Sequence, residues 1–402
     1  MRTDIPIRCA FLCALTTLLL FAPALYATNG MKVIGVGPVQ RSMGGANVAL
    51  PLDAAVAITN PAGLSQLHKR IDIAATYFAP DVSYKAHSDA GMITNDNSYV
   101  SSDTGPCIMP GLGGVVPIND RYTFGLGAYG VCGMSVDYEQ NLYNNITYTD
   151  YAFMKLAPAL AFRIDDNLSI GAALNLDYAT MEFEAGTTSE VSHNDGHEFG
   201  LGFTAGAIYK LTNAIAVGIA YESRQDFSDF EFNTNAGTDK LALEQPQNIT
   251  LGLGIRPNDR LRIAFDVAWI DWPQTVGENK PEYTENSSGA AAWNMNWDDQ
   301  YVYKVGVEYD LNEKVKVRAG YNYGKCPLDS SRAFENISFP AIAEHHITAG
   351  AGIALSRKLA LNIGFVFSPQ ATFNTHNSAQ YIDSATTKMS QYAIDIGFAY
   401  TF

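Results

Sequence analysis

The sequence predicts an all-β fold: a transmembrane antiparallel β-barrel of about fourteen strands, with an N-terminal hatch, or plug, held in its lumen. Three observations carry this expectation. Side chains alternate with period two from residue 70 to the C-terminus, short turns alternate with longer connections between those segments, and a glycine-rich apolar stretch without a strand pattern precedes the first of them.

The chain begins with Arg2 and Arg8, an apolar run from Ala10 to Leu25 broken by Thr16, Thr17 and Pro23, and a small-residue exit at Leu25-Tyr26-Ala27. That is the pattern of a secretory signal peptide, so residues 1–27 are expected to be cleaved after Ala27. Elsewhere no stretch holds the roughly twenty apolar residues that a membrane helix needs. Cleavage takes away two basic residues and one acidic one, moving the formal net charge from −15 to −16. Such a balance argues against a nucleic-acid partner, which requires clustered Lys and Arg. Cys9 and Cys13 leave with the signal, and Cys107, Cys132 and Cys326 stay. An odd number closes no disulfide framework; Cys107 with Cys132 is the nearer pair if one bridge forms after export, and the neutral reading is three small apolar side chains.

Alternation is plainest in the last strand, where Tyr392, Ile394, Ile396, Phe398, Tyr400 and Phe402 face one way and Ala393, Asp395, Gly397, Ala399 and Thr401 the other. A soluble sandwich would carry charge on its second face. Here that face is rich in Gly, Ala and Thr, which fits a lipid-facing exterior around a crowded polar lumen. Tyr301 with Tyr303, Tyr321 with Tyr323, and Trp269 with Trp272 sit near strand ends and read as interfacial girdles. The strands are expected at 70–84, 109–118, 121–134, 150–164, 167–184, 197–211, 214–227, 246–256, 260–272, 299–311, 314–325, 344–356, 358–369 and 390–402. Six short turns, at Ile118–Arg121, Asp165–Asn167, Leu211–Asn213, Pro257–Asp259, Asp310–Glu313 and Ser356–Lys358, alternate with longer connections, the largest near 85–108, 273–298 and 370–389. A closed barrel with both termini in the periplasm produces that arithmetic, and closure is the all-strand solution that leaves no unpaired edge in lipid.

Residues 28–69 hold Gly35, Gly37, Gly44, Gly45 and Gly63 among small apolar residues, and Asn60-Pro61 has the chemistry of a turn or helix start. The stretch is too long and too apolar for a free tail, so it is expected to fold into the lumen, with 70–402 forming the barrel.

At Arg41-Ser42-Met43-Gly44-Gly45-Ala46, Asp53-Ala54-Ala55 and Asn60-Pro61-Ala62-Gly63-Leu64 the chain resembles the hatch of the FadL/TodX (OMPP1) family. Further matches run from Gln245 through Arg256-Pro257-Asn258-Asp259 to Trp272, and at Tyr303–Tyr309 with Val317–Tyr321. The resemblance implies a bacterial outer-membrane transporter of long-chain fatty acids or aromatic hydrocarbons, a fourteen-stranded barrel, a hatch motif at Gly44, Gly45, Asn60, Pro61, Ala62 and Gly63, and lateral release of cargo through a kink in the third strand. That strand carries Gly125, Gly127, Gly130 and Gly133, which either permit a kink or bulge or make room for the hatch. Expected partners are a hydrophobic or fatty acid ligand and the surrounding outer-membrane lipid and lipopolysaccharide, around a monomer. An open passive porin or a structural, adhesin-like barrel is the alternative.

No catalytic, cofactor or metal chemistry is expected. His193 with His197 and the adjacent His345-His346 lack cysteine partners at zinc spacing, and no serine stands in a G-x-S-x-G pattern. The sequons at Asn145, Asn248, Asn286 and Asn336 are chance matches. Lys155 and Lys304 fall on the lumen-facing set of their strands, near the outer mouth, where each either meets a ligand carboxylate or pairs with a lumen acid such as Glu308 or Asp177.

The topology makes a direct prediction. Protease added to intact cells should cut within 273–298 and spare Pro257-Asn258-Asp259; cleavage at that short turn instead would invert the topology.

Overall fold

The computed structural model describes residues 29–402 apart from 92, 140–141, 143–145, 187–195, 235–236, 286–288, 293, 333–334 and 377–381. The signal segment, His193 and the sequon asparagines Asn145 and Asn286 lie outside the described residues. Fourteen strands form the wall: β1 (Arg70–His87), β2 (Cys107–Pro117), β3 (Tyr122–Asp137), β4 (Ile146–Arg163), β5 (Leu168–Gly186), β6 (Gly196–Lys210), β7 (Ile215–Glu222), β8 (Asn248–Asn258), β9 (Leu261–Ile270), β10 (Gln300–Asp310), β11 (Val315–Gly324), β12 (His345–Ala354), β13 (Leu359–His376) and β14 (Ser384–Thr401). Each pairs antiparallel with the next, and β14 pairs with β1 from Arg70↔Thr401 to His87↔Ser384, closing the barrel. The Phe402 amide then donates to Lys69 O at 3.1 Å, so the end of β14 is fastened beside the start of β1.

The period-two reading assigns the faces correctly. On β14, Ile394, Ile396, Phe398 and Tyr400 are 40–50% exposed on the outside, while Ala393 and Asp395 are fully buried. All six short turns use one local device. Asn119, Asp165, Thr212, Asn258, Asn312 and Ser356 each accept, through the side-chain oxygen, the amides two and three residues ahead, at 2.7–3.2 Å. Asx and ST turns of this kind reverse the chain without help from the rest of the fold.

Strand ends at the loop side depart from expectation. Instead of a loop at 370–389, β13 and β14 continue as a paired hairpin to His376↔Ser384, past a bulge between Ser368 and Ala371. The seventh strand, expected over 214–227, stops at Glu222, and the eighth starts at Asn248. Lipid imposes a greasy face where it touches the wall; beyond the bilayer a strand can be polar, so the hydrophobic pattern does not mark its end. Trp272 also differs from a girdle residue. It lies past the end of β9, fully buried, with its indole N–H donating to Gln300 Oε1 at 3.1 Å.

The lumen has two levels. At the turn end sits the hatch, residues 29–69, with short helices α1 (Gly37–Ser42) and α2 (Val56–Thr59) and a 3-10 turn, Pro61–Gln66. Toward the loops the interior is not the polar lumen expected but a layer of large apolar side chains, among them Tyr151, Phe153, Phe230, Trp297 and Phe339. Trp272 and Trp297 meet edge to face at 5.1 Å within it.

At several glycines of the wall the hatch comes so close that no side chain would fit. A Cβ on Gly206 would come within 2.0 Å of Asn60 Oδ1, one on Gly171 within 2.4 Å of the Ala62 amide nitrogen, and one on Gly320 within 2.2 Å of the Gly44 amide nitrogen. Gly206→Leu should therefore displace the hatch and destabilise the detergent-solubilised barrel by about 1–3 kcal/mol through overpacking. Its thermal midpoint should fall, while Gly105→Ala, with open space around the new methyl group, should match the parent protein.

Candidate functional site

The hatch motif residues come together as the elements that lock the plug. Gly44 and Gly45 form a left-handed turn, φ +65° and +80°, pressed against β11 and the Ile34 carbonyl. Thr348 on β12 fastens that turn from both sides: its Oγ1 accepts the Gly44 amide at 3.1 Å and donates to Ser42 O at 3.0 Å. Asn60 caps the 3-10 turn by accepting the Ala62 amide at 3.2 Å and ties it to Val48 O at 2.7 Å, with Pro61 supplying the preset dihedral at the first position. Gly63 packs on Pro51, and Ala62 is fully buried.

The glycines of β3 divide into two pairs. Gly125 and Gly127 lie against the hatch, where a Cβ would reach Leu64 at 2.6 Å and Ile58 at 2.7 Å. Gly130 and Gly133 flank an irregularity: the β3–β4 register slips between Gly130 and Cys132, extruding Val131 as a bulge. There β3 also leaves β2. Their pairing ends at Gly111↔Tyr129, although β2 runs on to Cys107 beside β1, and β3 runs on to Asp137 beside β4. The two edges are joined again near the loops, where the Asp103 amide donates to Asp137 O at 2.7 Å and the Asp137 amide to Ser102 Oγ at 2.9 Å. Between these joins the wall has a seam.

The freed edge of β3 is taken up by the start of the hatch. Val33 N donates to Val131 O and Gly133 N to Met31 O, both at 3.1 Å. From Ala128 to Val136 every residue except Val131 is buried, as expected of a strand that has turned into the barrel. Val131 is half-buried and packs against both the apolar layer and the cluster around the hatch.

Of the two lysines, Lys155 is buried and already neutralised: its Nζ lies 2.6 Å from Glu222 and 3.7 Å from Asp177, and donates to Gln225 at 3.1 Å. Sequence reasoning missed the second cation of this cluster, Lys32, whose Nζ donates to Glu222 at 2.7 Å and ties the first residues of the hatch to β7. Lys304 is half-buried and donates to Ile34 O at 3.4 Å. Neither lysine stands at the outer mouth; Phe153 and Val302, the next lumen-facing residues toward the loops, belong to the apolar layer above them. Cys107, Cys132 and Cys326 are all free thiols, the first two buried in separate apolar clusters, so the Cys107–Cys132 bridge is not formed. His345 and His346 point to opposite faces, His345 outward against Tyr321 and His346 inward against Gln391.

The family model described as outer membrane protein transport protein (OMPP1/FadL/TodX) matches residues 29–402. The chain belongs to that family. It is therefore an outer-membrane β-barrel of a family that transports hydrophobic compounds, and members of the FadL/TodX family act as channels. Outer membrane protein P1 of Haemophilus influenzae is 22% identical over 378 residues, covering 79% of this chain and 81% of the relative. A long-chain fatty acid transport protein of Escherichia coli is 22% identical over 370 residues, with the same coverage. Among solved structures, a FadL homologue of Pseudomonas aeruginosa superposes with a TM-score of 0.77 at 19% identity, covering 93% of this chain and all of that one. The toluene transporter TodX of Pseudomonas putida gives 0.74 at 18% identity, covering 92% and 99%. At these identities the superpositions establish the fold.

Within the hatch, burial raises the Asp53 carboxyl to about 7, reinforced by Asp72 and opposed by Arg70 and the Gln40 hydrogen bond. The folded chain thus keeps a proton that the unfolded chain loses near pH 3.8. Stability from this group is full below about pH 4, falls as pH rises toward 7, and is level above. An isosteric Asp53→Asn variant should show a flatter thermal midpoint between pH 4 and 7 than the parent protein; identical slopes would rule out Asp53 as the source.

Proposed function

We propose that this protein carries long-chain fatty acids or similar lipophiles across the outer membrane, by uptake into the apolar layer above the hatch and sideways release at the β2–β3 seam. The observation that carries this reading is the continuity between the two. An apolar layer beneath the loops reaches Cys132 and Met134 on β3, and its neighbour Val131 sits at the bulge where the wall parts. Gly130 and Gly133 are the release-site candidates, whereas Gly125 and Gly127 accommodate the plug.

An apolar solute gains from leaving water for such an interior at about 25 cal/mol per Å² of apolar surface. Below that layer the lumen is filled by the hatch, so a straight aqueous path of the passive porin kind has little support. Lys155 acts as a structural ion-pair partner in this scheme. Lys304, at the floor of the layer, is the sequence candidate left for meeting a cargo carboxylate. The FadL relatives motivate fatty acids as cargo and the TodX structures aromatic hydrocarbons; the fatty acid reading is preferred because a long-chain fatty acid transport protein is among the relatives matched over most of this chain.

The test is complementation of fatty acid uptake in a strain lacking its own transporter, with Asn60→Ala as the probe. Loss of the cap should cost about 1 kcal/mol of local hatch stability and lower oleate uptake while folded barrel still reaches the outer membrane. Failure of the parent protein to restore any oleate uptake would defeat the fatty acid assignment.

A further inference from the structure

The connection between β11 and β12, residues 325–344, does not stay on the surface as loops ordinarily do. Lys325, Ser330 and Ser331 are exposed, but residues 335–343 are buried without a break, and they add no strand to the barrel. Leu328, Ile337, Phe339, Ala341, Ile342 and Ala343 all belong to the apolar layer above the hatch. The buried side chains of that layer are each at most 8% exposed, so the surroundings that would suit cargo are already filled by the chain itself.

What holds this segment differs from what holds the wall. Its backbone bonds are short-range, Phe339 N to Asn336 O at 3.2 Å, and Ala341 N to Phe339 O and Ile342 N to Pro340 O both at 2.8 Å, in place of a ladder with a neighbouring strand. Pro340 has no N–H to donate. Asn336 makes the cross-connections to the loop between β9 and β10: its Nδ2 donates to Met295 O at 2.9 Å, and its Oδ1 accepts the Trp297 indole N–H at 2.5 Å. The root of the connection is held separately, by the Asp298 amide donating to Pro327 O at 2.8 Å.

We propose that the β11–β12 connection is a lid whose inner segment, residues 339–343, stands in for cargo and is displaced by it, with Asn336 as the latch. An apolar solute that takes this place offsets, by its own burial, the exposure of Phe339 and Ile342 to water. A polar solute offers no such compensation and leaves the lid shut. While the lid is shut the site is closed to cargo, which weakens apparent affinity by the fraction of molecules that are open. This inference rests on the transporter reading and adds regulation of the same site.

The experiment measures binding of the apolar fluorophore N-phenyl-1-naphthylamine to the purified protein and to its Asn336→Ala variant, and hydrogen exchange of the unaltered protein with and without oleate. Asn336→Ala should bind the fluorophore about fivefold more tightly, the size of about one net hydrogen bond removed from the closed state. Oleate should speed exchange at 335–343 and leave the paired strands β13 and β14 unchanged. A latch with a merely structural role would instead lower the thermal midpoint without strengthening binding. Unchanged or weaker binding in Asn336→Ala would overturn the proposal, and so would slower exchange at 335–343 with oleate; the exchange arm needs no variant to fold. If the unaltered protein binds both ligands while exchange at 335–343 stays the same, the lid falls and the transporter reading stands. If neither the unaltered protein nor the variant binds either ligand, both fall.

Discussion

The structure depends on backbone-to-backbone closeness between a plug and the barrel around it. Where the hatch touches the wall, glycines such as Gly171, Gly206 and Gly320 leave no side chain between them. A plug held this close cannot be solvated by bulk water, so its amides and carbonyls must find partners on the wall. They do: Asp266 accepts the Asn47 and Val48 amides, Asp72 accepts the Ala54 amide at 2.8 Å, Arg70 donates to Leu52 O at 3.0 Å, and Arg163 donates to Ser65 O. Removing a wall side chain from this set leaves a buried polar group unpaired, which is the expensive direction of the exchange.

That requirement explains the division of the lumen. Toward the turns the interior is polar because it must satisfy the hatch and itself, as in the chain of Arg262, Glu308, Arg318 and Asn362 across four strands. Toward the loops no plug backbone needs pairing, and the interior fills with aromatic and aliphatic side chains instead. Water is thus resisted at one level by close packing of polar groups and at the other by apolar surface. A greasy solute finds favourable surroundings at the second level and none along the axis beyond it.

The seam follows from the same accounting. Once β3 turns inward it loses β2 as a partner, and an open edge in lipid is not tolerated. Residues 31–33 of the hatch take over part of that edge through Val131 and Gly133, while Lys32 is fixed to Glu222 on β7. Hatch and kink are therefore one structural unit, each supplying hydrogen bonds that the other lacks.

The sequence by itself determined the barrel, its faces and its turn end. Lipid imposes an apolar residue at every second position of β14 from Tyr392 to Tyr400, and the turn residues Asn119, Asp165, Thr212, Asn258, Asn312 and Ser356 act within four residues of themselves, so both signals are local. The hatch motif was legible for a similar reason, since Asn60 caps its own 3-10 turn. Tertiary structure alone decided the rest. Whether Lys155 met cargo or Glu222, whether Trp272 faced lipid or the interior, and whether Cys107 reached Cys132 depended on distances between strands far apart in the chain. Arg41 and Asp395 stand at opposite ends of the sequence and carry no spacing signal; barrel closure brings them together, because joining β14 to β1 sets the last strand beside the plug that precedes the first.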